Sequence, residues 1–543
     1  MPVKQKIKRV VFQPAARRGI QRGINQLAEA VRPTLGPRPR IVAVDRGLGD
    51  KAPELLDSGG LIARRIVALP NRDDDMGAML LRSLLWRLHE QVGDGTTTAA
   101  VLFQSIYNQG VRHIAAGGNP MRLRRYLERG REAILTRLAD MVMPVHGQTQ
   151  LTQIAASLCY DTPLAKMLGE VFDTIGEYGQ LEIREGPGRE LEREYAEGNY
   201  WKGGVLSRQM IADRKALKTN IENAALLISD LTIENPEELQ TVIGLAVGTG
   251  AQALLIVAGQ FSDVVLTTLA ARRDPEKFKV IAVKTPGMTI DEQVGALDDL
   301  SILTGGRPVL RVTGQSFNSV CLADIGRARR AWADRFYFGI VGGQGNPRVL
   351  RQHIAQLRAA FKHTQDHSTR AILQQRIGKL MGGSATLSIG AATATESKTH
   401  KELAERTASA LRGAVLEGVL PGGGAALIAS QPMLQKMRQQ SADLDERAAY
   451  QILIRAVEEP LRTIIHNAGG DPARIMAKIK LAGPGYGFDV VSGHVVNIAE
   501  AGILDVATVL KAAVQGAITS AALALTVEVL IHHKQPTTVL TPR

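Results

Sequence analysis

Hydrophobic periodicity switches twice along this 543-residue chain, and no other feature constrains its fold as strongly. Over roughly the first 140 residues apolar positions recur at helical spacing. Ile20, Ile24, Leu27, Ala28 and Val31 form one stripe, and Leu80, Leu81, Leu84 and Leu85 begin another. From about residue 180, apolar runs of strand length alternate with helical stretches: Ala224 to Ile228, Ala253 to Val257 and Lys279 to Val283. That alternation predicts βα units around a partly parallel sheet. Asn235 is a candidate cap for one of the helices, with Pro236 at its first position and a stripe through Leu239, Val242, Ile243, Ala246 and Val247. From about residue 400 the pattern is helical again, finishing in the Ala- and Leu-rich run Ala512 to Val529. Helices at both ends of an α/β middle imply one helical domain built from both termini, with the middle inserted. The expected fold class is multidomain α/β.

Composition narrows the function classes. The length suits roughly three or four domains. Hydrophobic residues make up 45% but aromatics only 4%, with 54 glycines, which favours helix-rich α/β packing over an aromatic-rich β-sandwich. Cys159 and Cys321 are the two cysteines, too few and too far apart for a disulfide framework or zinc site, so a reducing, cytoplasmic compartment is expected. Lys4, Lys6, Lys8 and Arg9 precede no apolar run of signal-peptide type. Apolar stretches such as Ala253 to Ala258 are far short of a membrane span, so no membrane partner is expected. The net charge of +13 permits binding to nucleic acid. Much of it lies on helix faces such as Arg122, Arg124, Arg125, Arg129 and Arg131, which read as solvated, so nucleic acid is not an expected partner.

Two glycine-bearing segments carry chemistry. Thr34-Leu35-Gly36-Pro37 ends the first helix, and Gly93-Asp94-Gly95-Thr96-Thr97-Thr98 opens another. At a helix N-terminus the free N–H groups attract phosphate, glycine permits close approach, and a carboxylate such as Asp94 can hold a hard cation like Mg²⁺. Asp and Thr are also ordinary capping residues, so the segment alone leaves both roles open. No G-x-x-x-x-G-K-[ST] run is present, which excludes a Walker-type P-loop.

Seven collinear segments resemble the group I chaperonins, the bacterial GroEL family. Ala28 to Pro37 is similar to ADAVKVTLGP, Gly93 to Ala99 reproduces GDGTTTA, and Ala115 to Met121 is similar to AAGMNPM. Leu303 to Gly306 and Gly390 to Thr393 follow in the family's order, then Glu417 to Gly424, similar to EGVVAGGG, and Gly502 to Asp505, similar to GILD. The match begins near residue 10, so no transit peptide is expected ahead of it. The resemblance implies an equatorial domain of residues 1–140 and 417–543, an intermediate domain of 141–196 and 385–416, and an apical domain of 197–384. It implies self-assembly into seven-subunit rings, single or double, with unfolded proteins as clients and a GroES-like co-chaperonin as lid. It also implies ATP and Mg²⁺ as cofactors. Carried over position by position, Thr34, Leu35, Gly36 and Pro37 match the phosphate loop. Asp94, Gly95, Thr96, Thr97 and Thr98 match the metal and phosphate contacts, with Asp94 on the metal. Gly423 lies beside the nucleotide and Asp505 near adenosine, while Asp489, Val490 and Val491 replace the family's Asn-Ala-Ala.

The departures fall on the hydrolytic machinery. Aligned without gaps, Ser58 takes the place of one catalytic-site aspartate; a one-residue slip, eased by Gly59 and Gly60, returns Asp57 to it. Asp57 is therefore the remaining candidate catalytic carboxylate. The other aspartate aligns with Arg406, and neither Glu405, turned about 100° around a helix, nor Glu402, a full turn earlier, replaces it directly. A guanidinium cannot deprotonate water. It either pairs with phosphate oxygens or swings out to solvent. In the implied apical groove, Val205, Gln209, Met210, Thr241, Gly244, Leu266, Ala270 and Ala271 stand at positions where the family presents large apolar groups, so weak client capture is expected. Gly203 and Ala394 replace an ion pair between domains, and the Gly/Met-rich C-terminal tail is missing. The resemblance therefore implies an ATP-binding ring subunit that assists folding with impaired hydrolysis, or a non-hydrolysing structural or regulatory subunit.

Overall fold

The computed structural model describes residues 9–37, 40–45, 53–145, 147–176, 178–186, 188–195, 198–207, 210–211, 218–271, 278–364, 366–381 and 384–532. The chain forms two compact units, Met1–Glu170 with Glu402–Arg543, and Val171–Lys401.

The first unit is helical. Both ends of the chain contribute to it, because Arg9–Val11 pairs antiparallel with Leu530–His532, and His532 Nε2 lies 2.7 Å from Asp73 Oδ1. The Ala15–Val31 helix buries Ile20, Ile24, Leu27, Ala28 and Val31, the expected stripe. The Arg72–Val92 helix buries Leu81, Leu84 and Leu85 but leaves Leu80 exposed. These two helices cross backbone to backbone. A Cβ on Gly23 would fall 1.7 Å from the Asp74 carbonyl oxygen, and one on Gly77 would fall 2.1 Å from that of Ile20. Gly23→Ala should therefore force the helices apart and cost about 1–3 kcal/mol, the usual range for overpacking. The check is a thermal melt, and an unchanged midpoint would contradict the packing described.

The last long helix runs Ala507–Ala524, five residues ahead of the apolar run that suggested it. After it the chain turns and becomes the Leu530–His532 strand. Among the described residues it is the one helix long and apolar enough to cross a membrane. Its Leu510, Ala513, Val514, Ala517 and Ile518 pack into the core of the helical unit, which accounts for its composition.

The second unit holds a six-stranded mixed sheet in the order Lys279–Lys284, Ala253–Ala258, Lys218–Ile228, Gly326–Asp334, Tyr337–Gly343, Asn199–Lys202. The first three strands are parallel and the rest antiparallel, as the partly parallel expectation had it. Both faces are covered. Leu226 and Ile228 point into one core, and Ala225 and Leu227 into the other. A three-stranded sheet of Gln180–Glu185, Ser384–Ile389 and Leu191–Tyr195 accompanies it.

The helix expected to begin at Pro236 begins at Glu238 instead. Asn235 and Pro236 form a preceding turn, their carbonyls accepting from Glu238 N and Leu239 N, and the N-cap position falls on Glu237 with no side-chain cap. Leu239, Val242 and Ala246 are buried, but Val247 is 51% exposed. Of the implied groove residues, Val205 is buried in a bridge to Val283, Met210 and Leu266 pack against a core, and Thr241 and Gly244 are exposed. Val205, Met210 and Leu266, the described apolar members of the set, are thus turned inward. Gln209, the side chains of Ala270, Ala271 and Ala394, and residues 535–543 lie outside the described residues.

Candidate functional site

The sequence brings two helix ends together in the helical unit. Arg72–Val92 stops at Gly93 (φ +74°), and Thr96–Ala115 starts after Gly95 (φ +77°), so two left-handed glycines turn the chain around Asp94. Only glycine fits either place. A Cβ on Gly93 would lie 2.6 Å from the Arg406 carbonyl oxygen, and one on Gly95 would lie 2.7 Å from Val509 Cγ1. Gly95 offers no side-chain cap, so the first turn of Thr96–Ala115 presents its N–H groups outward.

The second phosphate-type segment stands against this turn. After a short 3₁₀ turn over Arg32–Thr34, Thr34 Oγ1 donates to Val31 O at 2.8 Å and lies 2.8 Å from Thr97 Oγ1. With its proton committed to Val31, Thr34 accepts from the Thr97 hydroxyl. Asn467 Nδ2 donates to Leu35 O and Arg32 O, and the Tyr160 hydroxyl donates to Gly36 O. The loop is held by the last residue of the Glu459–Asn467 helix and by Tyr160, just past the Gly147–Cys159 helix, neither of which the sequence gave reason to connect with it.

Together these elements line a cavity of roughly 340 Å³. All the expected contacts reach it: Thr34, Leu35, Gly36, Pro37, Asp94, Gly95, Thr96, Thr97, Thr98, Gly423, Asp489, Val490, Val491 and Asp505. Asp57, Ser58 and Arg406 line it as well, whereas Glu402 and Glu405 are exposed and do not. Ser157, Tyr160 and Thr407 are lining residues that carried no sequence signal.

The cavity's ends differ in character. Asp505, on a strand paired with Val419–Pro421, has its carboxyl pushed up to about 7, first by burial and then by the facing Asp94 carboxylate. The backbone N–H groups of Gly423 and Gly424 pull it the other way. Two mutually repelling carboxylates beside an uncapped helix N-terminus form a donor set that a divalent cation and an anion would satisfy together. Away from that end the lining is apolar, through Pro460, Ile464, Phe488, Val490 and Ile503. Asp489 closes the hairpin turn on this side. Its carboxylate accepts from Val491 N at 2.9 Å and Ser492 N at 3.3 Å, and the Ser492 contacts hold its pKa below the usual range. Asp489 thus shapes the rim while its own acceptors are occupied.

Arg406 does not swing out to solvent. It turns into the cavity wall and forms a forked ion pair with Asp57, Nη1 to Oδ1 at 3.3 Å and Nη2 to Oδ2 at 2.9 Å. Asp57 and Arg406 are 349 residues apart in sequence, so no local pattern could have signalled the pair. Ser58 is buried at the start of the Gly59–Arg65 helix.

The profile of the TCP-1/cpn60 chaperonin family matches residues 27–535. Among solved structures, the chain is similar to the chaperonin gp146 from the bacteriophage EL 2 (Pseudomonas aeruginosa), crystallised in the presence of ATP-BeFx. In crystal form I the TM-score is 0.72 at 20% identity, covering 97% of this chain and 99% of that one. In crystal form II it is 0.66 at 19% identity, with the same coverage. With the seven collinear segments and a chaperonin fold over nearly its whole length, the chain belongs to the TCP-1/cpn60 chaperonin family as a divergent, group I-like member.

Proposed function

We propose that this chain is an ATP-binding chaperonin ring subunit that assists protein folding and hydrolyses ATP slowly. The observation that carries the proposal is the convergence of Thr34–Pro37 and Asp94–Thr98, joined by the Thr34–Thr97 hydroxyl contact, on one cavity with an uncapped helix N-terminus. The N–H groups of Thr96 to Thr98 and the Thr34 loop suit the phosphates, and Asp94 suits Mg²⁺ with Asp505 nearby. The apolar wall by Val490 and Val491 suits the base. The phage chaperonin with ATP-BeFx supports the choice of nucleotide. Bound Mg²⁺ would neutralise phosphate charge; this chain's residues orient the phosphates and hold the cation.

The domain division that accompanies this function is equatorial 1–140 and 417–543, intermediate 141–196 and 385–416, apical 197–384. Seven such subunits would form each ring, singly or back to back, in the cytoplasm. Unfolded proteins are its clients, and a GroES-like co-chaperonin is its lid.

A second reading rests on the Asp57–Arg406 pair. With an arginine in one hydrolytic position and its counter-ion beside it, the chain suits a non-hydrolysing structural or regulatory subunit that joins rings of an active chaperonin. Both readings require nucleotide binding. Calorimetric titration of the full chain should show ATP binding in Mg²⁺ that falls sharply when EDTA is added. Heat of dilution alone, at all accessible concentrations, would defeat both.

A further inference from the structure

We propose that the Asp57–Arg406 ion pair selects nucleoside triphosphate over diphosphate, Arg406 exchanging its carboxylate partner for the terminal phosphate. The proposal rests on the nucleotide-binding reading above and adds which residue senses the third phosphate.

Three features place the pair at the phosphate end of the cavity. The Arg406 backbone carbonyl is packed against Gly93, the residue before Asp94, so its side chain leaves the helix beside the metal-type carboxylate. Asp57 immediately precedes Ser58 and Gly59, and a Cβ on Gly59 would lie 2.5 Å from the Thr97 hydroxyl. Both Asp57 and Arg406 line the same cavity as Asp94 and Thr97.

The chemistry of exchange follows from the two side chains. An arginine does not lose its charge in a protein, so a guanidinium whose side chain is only 16% exposed needs a counter-ion when no phosphate is present. Asp57 supplies it, but its own side chain is 41% exposed, and a partly solvated pair of this kind is held weakly. A terminal phosphate offers more charge and three acceptor oxygens to the same planar fork. The guanidinium uses two of its five N–H groups on Asp57, leaving others for the approach. A diphosphate, lacking that group, leaves Arg406 on Asp57.

The two partners therefore have opposite effects on selectivity. Titrations would compare ADP with a non-hydrolysable ATP analogue, both in Mg²⁺, on the full chain. Arg406→Gln, which keeps a long stem, should weaken the triphosphate at least about tenfold, the loss expected for one charge-assisted contact, with ADP within about twofold. The preserved ADP affinity also reports that the variant is folded. Asp57→Asn removes the competing carboxylate and should tighten the triphosphate several-fold. In the double variant that gain should vanish, since it acts only through Arg406. An unchanged triphosphate-to-diphosphate ratio in Arg406→Gln would overturn the proposal, as would weaker triphosphate binding in Asp57→Asn. Failure of the unmodified chain to bind either nucleotide would instead remove the nucleotide-binding reading, and this inference with it.

Discussion

Purified protein is expected to bind ATP yet turn it over about 10²–10⁴-fold more slowly than a chaperonin carrying both catalytic-site aspartates, the range typical of losing a group that orients or deprotonates the nucleophile. By the resemblance Arg406 stands at one of the two positions, and its ion-pair partner Asp57 has both oxygens engaged by it. Ser58, the other candidate position, is buried at a helix start and is no base. Restoration is the informative experiment. Arg406→Asp combined with Ser58→Asp should raise turnover at saturating ATP at least about tenfold. Arg406→Asp alone should recover part of that gain, because it frees Asp57 in the same wall. The two effects act on one water and are not expected to add. Brisk turnover by the unmodified protein, with contaminating ATPases excluded, would contradict this account. It would identify Asp57 as a carboxylate that leaves Arg406 and takes up catalysis.

Asp94→Ala should have the larger effect on binding, weakening Mg²⁺–ATP at least about 100-fold. Even indirect partners of a bound metal typically cost 10–100-fold when removed, and Asp94 is proposed as a direct ligand. Asp94 is also one of the two carboxylates whose repulsion raises the Asp505 pKa. Removing it abolishes the cation's principal attraction and leaves Asp505 closer to its ordinary acidity. The effect should be confined to metal-dependent binding, so that in EDTA the variant and the unmodified chain bind ATP almost alike. Equal affinity in Mg²⁺ would reassign Asp94 to a purely structural corner between Gly93 and Gly95.

What was legible in the sequence was what depends on neighbours in sequence. The Ile20–Val31 stripe and the three parallel strands announce themselves by local spacing, and each is found where expected; the two glycine-bearing segments are found lining one cavity. Boundaries fared less well. Asn235 and Pro236 fall in a turn ahead of the helix, and the final helix lies five residues earlier than the apolar run because Leu525, Val527 and Val529 continue that run past its end. The interlock of Gly23 with Gly77, the pinning of Leu35 by Asn467, and the Asp57–Arg406 fork are long-range contacts. They depend on which helices cross, which periodicity does not encode. The inward turn of Val205, Met210 and Leu266 was hidden for the same reason: apolarity at a position does not tell whether a core or a client receives it.

The central claim is that this chain is a ring-forming chaperonin subunit, and electron micrographs of the purified full-length protein with and without Mg²⁺–ATP test it most directly. Closed rings of several identical subunits are expected. A field of single 58.5 kDa particles at micromolar concentration, unchanged by nucleotide, would contradict it.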